Sequence, residues 1–518
     1  MTRSRFLLFA AMLFAQRGLA QSQETLNLLP NILPASPEAA SFAKFGNYAV
    51  NMFTGIPDIS IPLYEIKVGE LSLPISISYH ASGIKVNDYG SWVGLGWNLN
   101  AGGSVTRKVM GKPDDQSGNY LNATTVRLTS SISTTSSTDM VYLRSVNNGT
   151  YDCEPDIFSY NFPGKNGKFF FNQANNYTPE LIPYDPIVIT RNNNLFYITD
   201  ERGVAYNFED GEYTTTSTGG NVTQGMSAWV LTKMISANKQ DTVSLSYADR
   251  FGQVSQDILD YFVLNDQPTG NQSSDLGASF TTTSFISVDE RKIQEIDFRN
   301  GKILFDASVA DRQDAFTGQK SLSDIQVMSF DPSTGNFNLL KKVIFYQSYF
   351  MDPNDTVWTK RLRLDSLGIT DATGAVVEKY KFVYNIPAIS MPRKDSRSRD
   401  YWGYFNNKSN NTLVPQMQVP YVSTGQQFSY LTIGSGTYNG RNPDSNYNQT
   451  WSLSQIYYPT GGHTVFTFET NQYLDQQNNP QLAGGLRIRS IANYDGHNSN
   501  PVIKTYKYGT GESGYGRA

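Results

Sequence analysis

Three histidines and one cysteine are all that the sequence offers for metal ligation or thiol chemistry, and they are scattered as His80, Cys153, His463 and His497. A zinc site needs ligands gathered at short spacing, and none of the four has a second His or Cys nearby. His463 follows Gly461-Gly462, and His497 lies in Asp495-Gly-His-Asn498, both turn surroundings. Cys153 sits in Tyr151-Asp-Cys-Glu-Pro-Asp156, between carboxylates that raise a thiol's pKa and suppress the thiolate that a nucleophile requires. A single Cys closes no disulfide within the chain, so stability has to rest on burial and hydrogen-bonded ladders. The expectation is no metal, no cofactor and an inert thiol.

Other catalytic patterns fare no better. No Gly-x-Ser-x-Gly elbow occurs. Gly94-Leu-Gly96 has Leu99 at the sixth position and no Lys-Ser or Lys-Thr at the spacing of a phosphate loop. Glycoside hydrolysis needs two carboxylates facing each other across a cleft, and the sequence singles out no such pair among its 46 acids. Asp114-Asp115 and Asp352-Pro-Asn-Asp355 read as turns. The latter and Asn442-Pro-Asp-Ser-Asn446 offer oxygens, but without the spacing of a calcium loop. Tyr401, Trp402, Tyr404 and Phe405 form a dense ring cluster around Gly403. Gly403 favours reading it as a buried plug in a sheet; the other reading is an aromatic contact for a sugar or a partner protein.

The elements that must position these residues are strands. With 39% hydrophobic and 17% charged residues, 32 Tyr and 29 Phe, the chain suits half-buried sheet faces better than helical bundles. Leu71-Ser-Leu-Pro-Ile-Ser-Ile-Ser-Tyr79 alternates with period two, placing Leu71, Leu73, Ile75, Ile77 and Tyr79 on one face. Ile59-Ser-Ile-Pro-Leu-Tyr64 repeats the pattern, and the two make a hairpin through Val68-Gly-Glu-Leu71. Pro74 lacks a ladder donor and must sit at an edge or face outward.

Further on, a degenerate unit recurs in which paired apolar residues lead through a Gly or Asn turn to a strand. Leu231–Met234 leads to Val243–Tyr247, Ile293–Ile296 to Ile303–Phe305, and Leu364–Leu367 to Tyr380–Tyr384. Leu453–Ile456 leads to Val465–Phe468, and Leu486–Ile488 to Ile503–Tyr508. A lone hairpin is marginal in water, so these units must pair sideways. The fold expected is all-β: serial antiparallel hairpins forming an extended, curved or shell-like sheet, with a β-sandwich or propeller as the alternative.

Residues 1–20 have the anatomy of a signal peptide: Arg3 and Arg5, an apolar run from Phe6 to Ala15, then Gly18-Leu19-Ala20 before Gln21. The run is too short for a bilayer span, and no later stretch approaches that length. Cleavage after Ala20 removes Arg3, Arg5 and Arg17 and no acid, taking the formal charge from −4 to −7, a poor match for nucleic acid or an anionic membrane. Residues 21–121 read as an N-terminal β region, residues 122–139 as a Ser/Thr-rich loop, and residues 140–518 as the hairpin-repeat region, continuing beyond the chain.

The N-terminal block carries a resemblance. Ser36-Pro-Glu-Ala-Ala40, Asn51-Met-Phe-Thr-Gly55, Ile59-Ser-Ile-Pro-Leu63, Tyr79-His-Ala-Ser-Gly83 and Ser91-Trp-Val-Gly-Leu-Gly-Trp-Asn-Leu99 resemble the start of large Rhs/YD-repeat proteins of the Bacteroidetes type. Gly94-Leu-Gly-Trp97 is similar to a segment in the shell of insecticidal toxin-complex B components. Glu154-Pro-Asp-Ile-Phe-Ser159, Gly167-Lys-Phe169, Trp229-Val-Leu-Thr-Lys233, Asp400-Tyr-Trp-Gly-Tyr404, Tyr458-Pro-Thr-Gly-Gly462 and Gly484-Gly-Leu-Arg-Ile488 extend the likeness over most of the chain.

The resemblance implies a hollow shell of spiralling hairpins that encloses or presents a C-terminal polypeptide, often a toxin. This sequence has no run of Tyr-Asp repeats after Tyr494-Asp495, no Rhs core signature and no variable tail, so cargo and self-cleavage do not carry over. The function expected is a structural shell or carrier segment, not an enzyme, exported to the medium or the outer cell surface. Its partner would be a downstream Rhs/toxin segment or a cell-surface molecule, with neither nucleic acid nor a membrane span, and unpaired strand edges would favour self-association. A cell-surface glycan- or protein-binding β module is the alternative. In the key motif, Gly94 and Gly96 let the backbone turn or approach a neighbour, and Trp92 and Trp97 supply rings to plug a sheet end, so the segment reads as a structural corner.

Overall fold

Each strand of this chain can bury one row of side chains and leave the alternate row in water, and that alternation organises the molecule. The computed structural model describes residues 48–116, 119–121, 131–248, 251–264, 277–316, 318–350, 356–422, 428–434, 439–497 and 500–509. The expected signal peptide, the 36–40 motif, the turn at 352–355 and the first part of the Ser/Thr-rich stretch lie outside these residues.

The described strands form antiparallel sheets of fifteen, eight and three strands plus two two-stranded ribbons, and no sheet closes into a barrel. The fifteen-stranded sheet runs almost in chain order from Val188–Asn192 to Val502–Thr505. All five recurrent units fall in it as hairpins. Lys233–Ile235 pairs with Thr242–Tyr247, Ile293–Phe298 with Gly301–Ala307, and Arg361–Thr370 with Val376–Tyr384. Leu453–Tyr457 pairs with His463–Leu474, and Pro480–Tyr494 with Val502–Thr505. Each unit joins its neighbours sideways, which supplies the partners that a single hairpin lacks.

Two hairpins leave this series and build the second sheet. Asp210–Thr218 with Asn221–Val230, and Phe251–Leu264 with Gly277–Glu290, pair with each other through Tyr213–Thr218 and Ser284–Asp289. Ser104–Lys108, Ile157–Phe162, Lys165–Asn172 and Thr178–Ile182 complete the eight strands. The sheets meet through rings: Phe158, Phe169 and Trp229 of the smaller sheet surround Phe196 of the larger, with Phe196 and Trp229 edge to face at 4.8 Å.

The first hairpin forms as read. Ile59–Val68 pairs with Leu71–Tyr79, and Leu71, Leu73, Ile75, Ile77 and Tyr79 are all buried. Pro74 is exposed and lies beyond the reach of the third strand, Trp97–Asn100, which pairs only with Ser76–Tyr79. One expectation needs correcting: Ser137–Asp139, placed in the Ser/Thr-rich loop, open a helix that runs to Asn147. The Ser136 hydroxyl accepts the Asp139 N–H at 3.4 Å, so a hydroxyl-rich run that cannot build a core here starts a helix by capping it.

The long segment between Tyr384 and Leu453 folds back onto the strand Phe251–Leu264. Arg397 donates to both Asp260 oxygens, at 2.7 and 2.9 Å, and Arg399 donates to Asp257 at 2.8 Å. Burial would raise the Asp260 carboxyl, but Arg397, Thr281 and the Leu413 N–H outweigh it and bring it down to about 2. A lowered carboxyl adds stability that is present above its unfolded pKa of about 4 and is lost as pH falls toward 2. Arg397→Ala is expected to cost about 2–4 kcal/mol at neutral pH. The gap to the native chain should narrow below about pH 4, as measured by urea unfolding at stepped pH.

Candidate functional site

The Trp92–Trp97 segment lies against the fifteen-stranded sheet at an irregularity. Between Tyr346 and Gln347 the register against Arg361–Thr370 slips by one residue, a bulge in the ladder. The segment bonds to the strands around it. Leu95 donates its N–H to the Leu362 carbonyl at 2.8 Å, and the Trp92 carbonyl accepts the Leu322 N–H at 2.8 Å. The Gln347 side chain donates to the carbonyls of Trp92 and Val93 at 3.0 and 2.9 Å. Arg361, buried, donates to the carbonyls of Val86 and Asp88 in the same N-terminal stretch.

The two glycines answer to this closeness. A Cβ at Gly94 would lie 3.1 Å from the Leu364 nitrogen, and one at Gly96, whose φ is +77°, would lie 2.6 Å from the Tyr79 ring. Trp97 is buried between Tyr79 and Phe382, at ring distances of 5.2 and 4.7 Å. Its indole donates to the Tyr384 hydroxyl at 2.9 Å, and that hydroxyl donates to the Leu364 carbonyl at 2.6 Å. Burial pushes the Tyr384 and Tyr79 phenols well above their ordinary range, so both stay protonated. Tyr79 and Tyr384 are legible in the sequence only as strand residues, and Gln347 carries no sequence signal at all.

A second knot joins motifs from both ends of the chain. The Gly55 carbonyl accepts the Ile488 N–H, and the Ser82 carbonyl accepts the Leu486 N–H, both at 2.8 Å. A Cβ on Gly83 would meet the Tyr404 ring at 3.0 Å, and one on Gly484 would meet the Trp402 Cβ at 2.5 Å. Gly403 gives its carbonyl to the Val86 N–H at 2.9 Å. The segments 51–55, 79–83, 400–404 and 484–488 therefore interlock around the strand Pro480–Tyr494.

The 400–405 turn divides the ring cluster. Asp400 is fully buried, and one carboxylate oxygen accepts the N–H groups of Trp402 and Tyr404, both at 2.9 Å. The other oxygen has no hydrogen-bond partner among the described residues. Burial raises the carboxyl, and the backbone donors oppose the rise. The turn sends Tyr404 and Phe405 inward, 7% and 6% exposed, and leaves Tyr401 and Trp402 outside at 53% and 42%. The outer pair stands edge to face at 6.1 Å, with the Arg441 guanidinium over Tyr401 at 5.4 Å.

The remaining sequence candidates lie apart. Burial, Asp152 and Glu154 raise the Cys153 thiol. His463 is stacked between Tyr457 and Tyr494, at 4.9 and 4.3 Å, on neighbouring strands. His497 donates its N–H to Asp495 within its turn, and His80 is exposed. Asp444 takes the Asn446 N–H. Among the described residues no three His, Cys, Asp or Glu side chains are grouped to hold a metal. Asp114 stands in a turn, as read, but is fully buried. It and Asp156 exchange backbone N–H to carboxylate bonds at 2.9 and 3.0 Å, and burial together with the Asp156 charge pushes the Asp114 carboxyl up to about 7. Arg107 bridges Asp156 and Asp115 at 2.6 and 2.8 Å, so the corner works as a polar clamp between strands.

No protein family and no curated protein matches this chain. Among solved structures it is similar to the N-terminal domain of effector protein SpvB from Salmonella typhimurium strain LT2. The identity is 11% and the TM-score 0.29, over 60% of this chain and 98% of that one.

No helix among the described residues is long and apolar enough to cross a membrane. The interlocked segments join strands of the large sheet to backbone from the N-terminal part of the chain. Gly96→Ala combines a left-handed backbone with a ring clash, and is expected to lower stability by about 2–4 kcal/mol. Thermal and urea unfolding check this, with Gly374→Ala in an open turn as the milder comparison.

Proposed function

We propose that this chain is a structural shell or carrier segment of an exported Rhs/YD-repeat protein. It has no catalytic chemistry of its own and encloses or presents a C-terminal effector. The observation that carries this reading is the meeting of the motifs. Segments 51–55, 79–83, 91–99, 400–404 and 484–488, which resemble that family, are the ones that clasp the sheet. Residues that recur for catalysis would gather around a reacting atom; these gather around backbone joints. The open fifteen-stranded sheet supports the same reading, because sideways addition of hairpins can build a wall around a cargo. The signal-like residues 1–20 support export to the medium or the outer surface. Sequencing the gene past the codon for Ala518 tests the proposal. The frame should run on into Tyr-Asp repeats, an Rhs core and a variable tail, and a stop codon at that point would refute it.

A second reading, a surface module that binds a glycan or another protein, is favoured by one observation: Tyr401 and Trp402 are displayed outward on a turn held by buried Asp400. Rigid exposed rings can stack on a sugar face with little loss of side-chain freedom. On this reading a glycan array gives specific binding that Tyr401→Ala and Trp402→Ala remove without changing the thermal midpoint. An array with no signal counts against it.

A further inference from the structure

Residues Gln347–Phe350, at the end of the strand Asn336–Phe350, border a cavity of about 790 Å³ together with Arg363 and the chain that follows Tyr384. The returning segment is pinned at both of its neighbours. Trp451 donates its N–H to the Asn385 carbonyl at 2.7 Å, and Asn385 donates to the Ser452 carbonyl at 2.8 Å. Trp451 is 4% exposed and sits at φ +60°, a left-handed backbone that is costly for so bulky a residue. Phe350 and Met391, both buried, join Pro387 and Ile389 in the apolar part of the wall.

Polar groups on this wall lack partners. Ser348 and Arg363 stand opposite each other across the ladder, so their side chains share one face. Arg363 gives its Nε to Asp365 at 2.6 Å and lies over the Phe350 ring at 5.4 Å, two contacts that orient the guanidinium. Its Nη1 and Nη2 bond to nothing among the described residues. The Ser348 hydroxyl is buried without a partner, and the Trp451 indole N–H donates to no described group. Among the described residues, Arg363 is the only charged side chain of the wall, with no Asp or Glu bordering the cavity.

Unused donors beside an apolar surface match a ligand with one acceptor end and an apolar body, and the volume falls within the roughly 300–1,000 Å³ of small-molecule sites. A guanidinium presents parallel N–H groups that fit a carboxylate. A free phosphate or sulfate would leave the surface of Ile389, Met391 and Trp451 uncovered, and a cationic ligand would be repelled by Arg363. We propose that this cavity binds a small apolar monocarboxylate. Its carboxylate lies on Nη1 and Nη2 of Arg363, and its hydrocarbon part packs against Phe350, Ile389, Met391 and Trp451. The site depends neither on the shell reading nor on Tyr401 and Trp402.

Isothermal titration calorimetry of the purified full chain with octanoate, octan-1-ol and octylammonium is the test. Octanoate should bind saturably and in equimolar amount, and the alcohol and the ammonium ion at least ~10-fold more weakly. Arg363→Gln should weaken octanoate by ~10-fold or more and leave octan-1-ol unchanged, a contrast that a merely structural role for Arg363 would not produce. Ala388→Trp, at an exposed residue of the wall, should block octanoate without moving the thermal midpoint, and it decides the matter if the Arg363 variant fails to fold. Three outcomes overturn the proposal: no saturable octanoate binding up to ~5 mM, the alcohol or the ammonium ion bound as tightly as the acid, or octanoate binding that survives either substitution.

Discussion

The exchange of backbone hydrogen bonds between residues 92–95 and the large sheet, at Leu322 and Leu362, is the constraint on which the rest depends. A buried N–H or carbonyl left without a partner costs about as much as a lost hydrogen bond. The segment can make these bonds only if its own backbone comes close, which is why glycine stands at 94 and 96. Once it is seated, Trp97 falls between Tyr79 and Phe382, and the three-stranded sheet is fixed against the larger one.

Much of the fold was legible because its signals are local. The five recurrent units combine alternation with a Gly or Asn turn, and each became a hairpin of the fifteen-stranded sheet. The eight-stranded sheet was not legible. Strands such as Asp210–Thr218 and Gly277–Glu290 are rich in Thr and Ser, without a clean apolar row, and their hairpins join each other and Ser104–Lys108 across long stretches of chain. Propensity suggests that such residues can be strands; only tertiary pairing decides which ones meet.

The candidate site divides in the same way. Trp92, Gly94, Gly96 and Trp97 could be read as a corner because Gly and Trp at that spacing have few other uses. Their partners could not be named, since Leu362, Leu364 and Tyr384 are unremarkable in a strand. Four rings at 401–405 gave no clue to which face outward. A buried carboxylate at 400, gathering the N–H groups of 402 and 404, sorts them. Asp114 was readable as a turn residue, but its burial against Asp156 is a tertiary fact with no local trace.

The bonds from Gly55 to Ile488 and from Ser82 to Leu486 also set an order of events. A ribosome delivers the N-terminal segment long before the strand that receives it, and contacts of such sequence separation form late. Until the strands that carry Leu322, Leu362 and Phe382 exist, Trp92, Val93, Leu95 and Trp97 have no sheet to bury them. The nascent chain must therefore carry an uncovered apolar segment until those strands are made, a state prone to aggregation. The last strands complete the folding of the first.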